Sequence, residues 1–125
     1  MQIEVSHGEL VDKVSILKIK LDRIASPQKR VNIQKEFDLL YEKLAAIQIT
    51  EQSESFQQLL AINTRLWEIE DTIREKEAKG EFDDDFITLA RQVYFQNDKR
   101  SQVKRDINIQ TGSTIIEEKA YAPYR

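Results

Sequence analysis

Residues 66–77 read LWEIEDTIREKE and lie within the longest uninterrupted helical pattern of the chain. Within this pattern, residues spaced by three and four form a line that is wholly aliphatic: Leu59, Ile62, Leu66, Ile69 and Ile73. A helix that packs against a core shows such a line. The next line around the helix is mixed: Leu60, Asn63, Trp67, Glu70 and Arg74. The segment therefore predicts a bundle helix with a polar strip beside its core face.

Composition supports an all-α fold in one domain covering residues 1–125. The chain has 125 residues, of which only three are Gly and two are Pro, fewer than the turns of a sandwich or barrel require. No cysteine is present, which excludes disulfides, thiolate metal sites and thiol nucleophiles. The single histidine, His7, excludes His-rich zinc and two-His iron sites. We therefore expect no metal and no cofactor.

Two further patterns concern the location of the protein and its electrostatics. No apolar run reaches the roughly 18–20 residues of a membrane span, and no signal peptide is recognisable, so we expect a cytoplasmic protein. The net charge is -3. Residues 51–85 hold eleven acids and four bases, whereas residues 86–105 hold five bases and one acid. Complementary helices within one bundle would explain this division, and the acidic total argues against a nucleic-acid partner.

Helix start and stop signals divide the chain into an antiparallel four-helix bundle with an extended C-terminal tail. The predicted helices cover about residues 7–25, 28–48, 53–79 and 84–109. Ser6 is the expected N-cap of the first helix, and Glu9 is expected to complete a capping box with it. The second helix begins after Ser26 at Pro27, and Gly80 is placed to end the third.

Candidate site residues come from the third and fourth helices, whose polar lines meet if the two helices are antiparallel neighbours. The candidate polar cluster is Asn63, Trp67, Glu70, Arg74, Arg91, Tyr94, Asn97, Arg100 and Lys104. One interpretation is an internal salt-bridge network that fixes the register of the helices. The other is an open pocket in which Arg91, Arg100 and Lys104 bind a phosphate or carboxylate. The residues leave both interpretations open.

Other chemistries have weaker support. The acidic run at residues 83–85 lacks the alternating ligands, central glycine and closing glutamate of a calcium loop. The acids of residues 68–77 resemble one half of a magnesium-dependent pyrophosphohydrolase site, which needs a second acidic motif on a facing helix. His7, next to a helix start, is better explained as a cap-region residue than as a catalytic base.

Five segments together are similar to a small bacterial, all-helical family of unknown function. They are GELVDK at 8–13, LWEIEDTIREKE at 66–77, FITLAR at 86–91, NDKR at 97–100 and EEK at 117–119. The resemblance covers nearly the whole chain and is weakest over residues 26–55. It implies a stand-alone helical protein or a module attached to larger, sometimes sugar-transferring, proteins, and it implies no particular activity.

These observations favour a non-enzymatic interaction or assembly module. Its expected partner is another protein or a second copy of the chain. Self-association would use excess apolar surface on the second helix. The alternative is a small enzyme or ligand-binding protein with an anion pocket between helices 3 and 4 and the C-terminal tail. In that case, an anionic small molecule would be the partner.

Overall fold

The computed structural model describes residues 1–124 and contains four α-helices: α1 (His7–Arg23), α2 (Pro27–Tyr41), α3 (Glu54–Lys79) and α4 (Asp84–Thr111). A short 3-10 helix, Glu42–Ile47, follows α2. No strand occurs among the described residues. The predicted all-α fold is therefore confirmed. Within residues 1–124, none of the helices is both long enough and apolar enough to cross a membrane.

The predicted Ser6 cap forms with one difference, and Asp83 caps the start of α4 in the same way. Ser6 Oγ accepts the backbone N–H of Glu9 at 3.1 Å, and Asp83 Oδ1 accepts that of Phe86 at 2.9 Å. Each contact satisfies a donor that the first turn of a helix leaves free. The Glu9 carboxylate does not return to Ser6, because it binds Lys104 Nζ at 2.6 Å. Only half of the expected capping box forms, and its acid ties α1 to α4 instead.

The second predicted helix is divided. It is α-helical only to Tyr41 and then tightens into the 3-10 helix, which ends at Gln48 with a φ of 57°. Tighter winding is common where a helix ends. Here it allows the chain to reverse within a few residues, so that both Leu44 and Ile49 enter the core.

Contacts between the helices fix their directions. The N–H of Gly8, at the start of α1, donates to Asn108 Oδ1, near the end of α4, so these two helices are antiparallel. Along α1, Asp12 contacts Asn63 and Arg23 contacts Glu68, so α1 and α3 are parallel. The short turns after α1 and α3 reverse the chain, which completes an up-down-up-down bundle. α1 packs against all three other helices, whereas α2 packs mainly against α1.

The core lies at the end of the bundle where α1 and α3 begin and α4 ends. Its fully buried side chains come from α1, the 3-10 helix, α3 and α4: Val11, Val14, Leu44, Phe56, Leu59 and Ile107. α2 contributes half-buried residues and no buried ones. Because α1 lies between the other helices, it is buried on more than one side, and Gly8, Asp12, Ser15 and Ile19 form a second inward line.

α3 and α4 extend beyond the rest of the bundle. They have 26 and 28 residues, against 17 in α1. The end of α1 lies beside Glu68, because Arg23 Nη2 contacts its carboxylate at 3.2 Å. At 1.5 Å per residue, α3 continues for about 16 Å past this level before it turns at Gly80. The two helices therefore form a projecting hairpin that α1 does not cover.

The C-terminal tail turns back along α4, as predicted for an extended segment. Arg105 Nη1 contacts Glu118 Oε1 at 2.7 Å, and further along the tail the hydroxyl of Tyr124 donates to Asp98. The ring of Tyr124 also packs against Tyr94, with centroids 5.1 Å apart. The tail therefore runs toward the start of α4.

The turn of the hairpin contains a pair whose titration can be measured. The N–H of Phe86 and the Lys76 ammonium both bind the Asp83 carboxylate and lower its pKa, while the hydrogen bond to Asp83 raises the pKa of Lys76. We expect the Asp83 carboxyl to titrate below the ordinary Asp range in carbon-detected NMR. The stability from this carboxylate is present above its ordinary pKa and is lost as the pH falls through the lowered one.

A Lys76→Met variant tests this assignment. Removing the ammonium should raise the Asp83 midpoint while the N–H of Phe86 still keeps it below the ordinary value. A midpoint that does not move would show that Lys76 and Asp83 are not paired in solution. The reverse sign applies to Lys76, whose contribution is present below its ordinary pKa and is lost as the pH rises through the raised one.

Candidate functional site

A groove lies between α1, α3 and α4, at the level where α1 approaches its end. Its volume is about 360 Å³. Six of the predicted site residues line it: Asn63, Trp67, Glu70, Arg74, Asn97 and Arg100. Ile16, Ile19 and Leu66 supply an apolar wall, and Asp71 adds a second acid. The polar strip predicted from α3 and α4 therefore borders an open concave surface.

The floor of the groove is a closed polar network. Asn63 is only 5% exposed, and its Nδ2 donates to Asp12 Oδ1 at 2.8 Å and to Ser15 Oγ at 2.9 Å. The hydroxyl of Ser15 in turn donates to the Asp12 carbonyl at 2.7 Å. Lys104 Nζ lies 3.9 Å from Asp12 Oδ2. These contacts give the buried polar side chains between α1 and α3 hydrogen-bond partners, as buried polar groups generally require.

The charged side chains nearer the mouth are less well paired. Arg74 Nε and Glu70 Oε2 are 3.6 Å apart on successive turns of α3, and both side chains are largely in solvent. Arg100 is half-buried and forms no ion pair or hydrogen bond with any residue that the structure describes. The Trp67 indole is also half-buried and has no hydrogen-bond partner within residues 1–124. Among residues 1–124, Arg100 is therefore the cation of the groove that has no ion-pair partner, although the Asp71 carboxylate lines the same groove.

Three of the predicted residues lie elsewhere. Lys104 binds Glu9 at 2.6 Å on the side of α4 that faces the start of α1. Arg91 lies over the ring of Phe95, 5.6 Å from its centroid, and its Nε contacts the Tyr94 hydroxyl at 3.4 Å. Arg91 projects from another side of α4 than Arg100, and Lys104, one turn beyond Arg100 on the same side, is occupied by Glu9. The three bases therefore do not converge on one anion. The predicted internal network describes Lys104, which is paired with Glu9, and the predicted open pocket describes Arg100, which lines the groove.

The predicted position of the pocket also needs correction. The groove is bounded by α1, whereas the tail lies on another side of α4. There, a second depression of about 270 Å³ separates the tail from α4 and includes Lys104, Arg105 and Glu118. In this depression Arg105 is already paired with Glu118 at 2.7 Å. Of these two depressions, the groove beside Trp67 is the one lined by an arginine, Arg100, that has no ion-pair partner among residues 1–124.

Sequence reasoning missed the α1 residues of the site and the contacts that fix α1 on α4. Asp12 and Ser15 lie four and seven residues after Gly8, on one line of α1, and that spacing was the available signal. At the start of α1, the His7 N–H donates to Ser113 Oγ at 3.1 Å, and His7 Nδ1 lies 2.7 Å from Thr111 Oγ1. Because the Thr111 hydroxyl donates to the Ile107 carbonyl, His7 Nδ1 must be the donor of this pair. His7 therefore lies in the cap region of α1, as predicted, and contacts the end of α4.

Comparison with known proteins places the chain in a family. Residues 1–124 match the family of unknown function DUF6165, and the chain belongs to that family. No curated protein and no solved structure matches the chain.

Proposed function

We propose that this chain, as a member of a family of unknown function, is a non-catalytic binding protein that takes a small anionic molecule into the groove. The observation that carries the proposal is Arg100, a half-buried guanidinium that forms no ion pair with any described carboxylate. A cation partly removed from water is costly unless it is paired. A phosphate or carboxylate would supply two oxygens in the geometry that a guanidinium binds best.

The walls of the groove indicate what else the ligand carries. The Trp67 indole and the side chains of Ile16, Ile19 and Leu66 present apolar surface next to Arg100. An aromatic ring gains most from stacking with a flat or apolar group. The volume of about 360 Å³ lies at the small end of the range for small-molecule sites, roughly 300–1,000 Å³. The ligand that fits is therefore a small molecule with a planar or apolar body.

The charge of the groove limits the ligand further. Glu70 and Asp71 offset Arg74 and Arg100, so the lining has no net charge. A polyanion such as a nucleic acid or a triphosphate would meet these carboxylates, which repel it. The groove favours a ligand with one anionic group, directed at Arg100.

A catalytic role has less support than binding. The ionisable groups that line the groove are two acids and two arginines, and Glu70 is engaged by Arg74 at 3.6 Å. Arginine remains protonated and is a poor general base. His7, the usual choice for proton transfer, is held by Thr111 at the opposite end of the bundle.

Phenyl phosphate and benzoate are suitable minimal probes, because each joins a planar ring to one anionic group. We expect both to change the emission of Trp67, the only tryptophan of the chain, and to raise the melting temperature. Benzyl alcohol, which has the ring without the charge, should do neither. Arg100→Ala should weaken binding of phenyl phosphate about tenfold or more, since it removes a charge-assisted contact.

Arg65→Ala is the matched control, because Arg65 is an exposed arginine of α3 that does not line the groove. It should bind phenyl phosphate as the unaltered protein does. If neither the two probes nor a panel of phosphorylated and carboxylated metabolites affects Trp67 at millimolar concentration, the proposal fails. Equal losses in Arg65→Ala and Arg100→Ala would also contradict it, because binding would then follow general charge.

A further inference from the structure

The projecting hairpin of α3 and α4 exposes apolar side chains on a stripe that faces away from the groove. Phe82 is 60% exposed, Ile87 54% and Tyr94 41%. Ile87 and Tyr94 are seven residues apart on α4, which places them on one side of the helix, and Phe82 precedes this side in the turn. No part of α1 covers this stripe, because α1 ends beside Glu68, before the level of Ile87 is reached.

Two opposite charges lie on the same stripe. Asp84 and Arg91 occupy the positions three before and four after Ile87, so they flank it on the same side of α4. Both residues are exposed, and neither forms an ion pair with another described residue. Arg91 is held over the Phe95 ring and against the Tyr94 hydroxyl, so its position on the stripe is fixed.

We propose that this stripe of α4, from Phe82 to Tyr94, is the contact surface for a second copy of the chain, with the two α4 helices antiparallel. The argument is self-complementarity. A two-fold axis between Ile87 and Thr88 places Asp84 of each copy opposite Arg91 of the other and leaves the two copies of Ile87 within one residue of each other. The same register places Phe82 of each copy within one residue of the position opposite Tyr94 of the other. One register therefore matches apolar with apolar and acid with base, as an isologous interface requires.

The exposed face of α2, the earlier expectation for self-association, is less suitable. Its apolar residues Val31 and Leu39 are 69% and 54% exposed, with Lys35 midway between them on the same side of the helix. Antiparallel pairing of two α2 helices about this point would bring Lys35 against its own copy. Like charges in contact oppose such pairing.

The size of the surface sets the expected strength. Residues 82–94 cover about 18 Å of helix, so the interface is smaller than the roughly 1,600 Å² of a standard complex. The dimer should therefore be weak, with dissociation in the range of roughly 0.05–1 mM. Sedimentation equilibrium of the full chain over this concentration range is the appropriate measurement.

Charge exchange between variants gives the decisive test. Asp84→Arg and Arg91→Asp should each weaken the dimer about tenfold or more, because each places like charges opposite one another. An equimolar mixture of the two should recover dimerisation, since both charge pairs are restored in the mixed dimer. Circular dichroism of each variant establishes that the helices are intact.

Val31→Asp is the control on the α2 face and should leave the dimer unchanged, whereas Ile87→Asp should abolish it. The proposal is overturned if the unaltered chain is monomeric up to 1 mM, or if the mixture stays as monomeric as the separate variants. It is also overturned if Val31→Asp abolishes the dimer while Ile87→Asp does not, which would place the contact on α2. None of these outcomes depends on the groove, because Arg100 lies on another side of α4.

Discussion

Replacing Gly8 with alanine is expected to destabilise the chain by about 2 kcal/mol, although alanine is the better helix former. Gly8 lies in the first turn of α1, where α1 meets α4. A Cβ at this position would lie 2.4 Å from the carbonyl oxygen of Lys104 and 2.9 Å from its carbonyl carbon. These atoms are backbone atoms of another helix and cannot turn aside as a side chain could. The two helices would have to separate.

Separation of α1 from α4 would also weaken the polar contacts between these two helices. The Gly8 N–H donates to Asn108 Oδ1 at 2.6 Å, and both groups are buried. One turn away, Glu9 and Lys104 are in contact at 2.6 Å. A buried donor that loses its acceptor costs roughly 1–3 kcal/mol, which outweighs the gain of about 1 kcal/mol from helix propensity. The predicted sign is therefore opposite to that for a glycine on an exposed helix face.

Urea denaturation measures this change, and Gly80→Ala provides the comparison. Gly80 has a φ of 67°, and a Cβ there would meet nothing within 4 Å, so its alanine variant tests backbone strain alone. That variant should lose about 1 kcal/mol. A Gly8→Ala variant as stable as the unaltered chain would show that α1 and α4 are not in close contact at this point.

Gly8 also shows why the fold was easier to predict than its contacts. Helix periodicity and a cap such as Ser6 depend on neighbours in sequence, so the helix positions could be predicted from them. The close approach of Gly8 to Lys104 depends on residues almost a hundred positions apart. Without a partner in view, a glycine near a helix start is most simply interpreted as part of the cap region.

The candidate site divides for a similar reason. Asn63, Trp67, Glu70 and Arg74 share a line on one helix, so their position on a common face follows from α3 alone. Lys104 and Arg100 are only four residues apart on α4, yet Lys104 binds Glu9 of α1 and Arg100 opens into the groove. The position of α1 decides which of these two bases is paired and which one lines the groove. A prediction that considered only α3 and α4 could not make that distinction.

Replacing Asn63 with leucine is expected to cost about 3 kcal/mol. Leucine has a similar volume, so the loss comes from the polar groups that remain. Asp12 is only 4% exposed, and the Asn63 amide at 2.8 Å is its close hydrogen-bond donor. The Lys104 ammonium also lies near Asp12, but its Nζ is 3.9 Å from Asp12 Oδ2, beyond hydrogen-bonding distance. A buried carboxylate that loses a partner is among the more costly single changes.

A double-mutant cycle separates this explanation from a simple packing effect. Asp12→Leu alone should also destabilise the chain, because it leaves the Asn63 amide buried with Ser15 as its sole partner at 2.9 Å. Together, the two leucines remove both halves of the contact, so the double variant should be about 2 kcal/mol more stable than the sum of the single losses predicts. Asn32→Leu, on the exposed side of α2, should stay within about 0.5 kcal/mol of the unaltered chain.

The same cycle tests whether the network and the groove are one unit. Asn63 both holds Asp12 and lines the groove one turn from Trp67. If the network positions the groove, the double variant should recover stability but still bind phenyl phosphate less tightly than the unaltered chain. Additive losses in urea denaturation would instead show that Asp12 and Asn63 act independently. In that case, the groove would depend on Arg100 and Trp67 without support from the buried polar contacts beneath them.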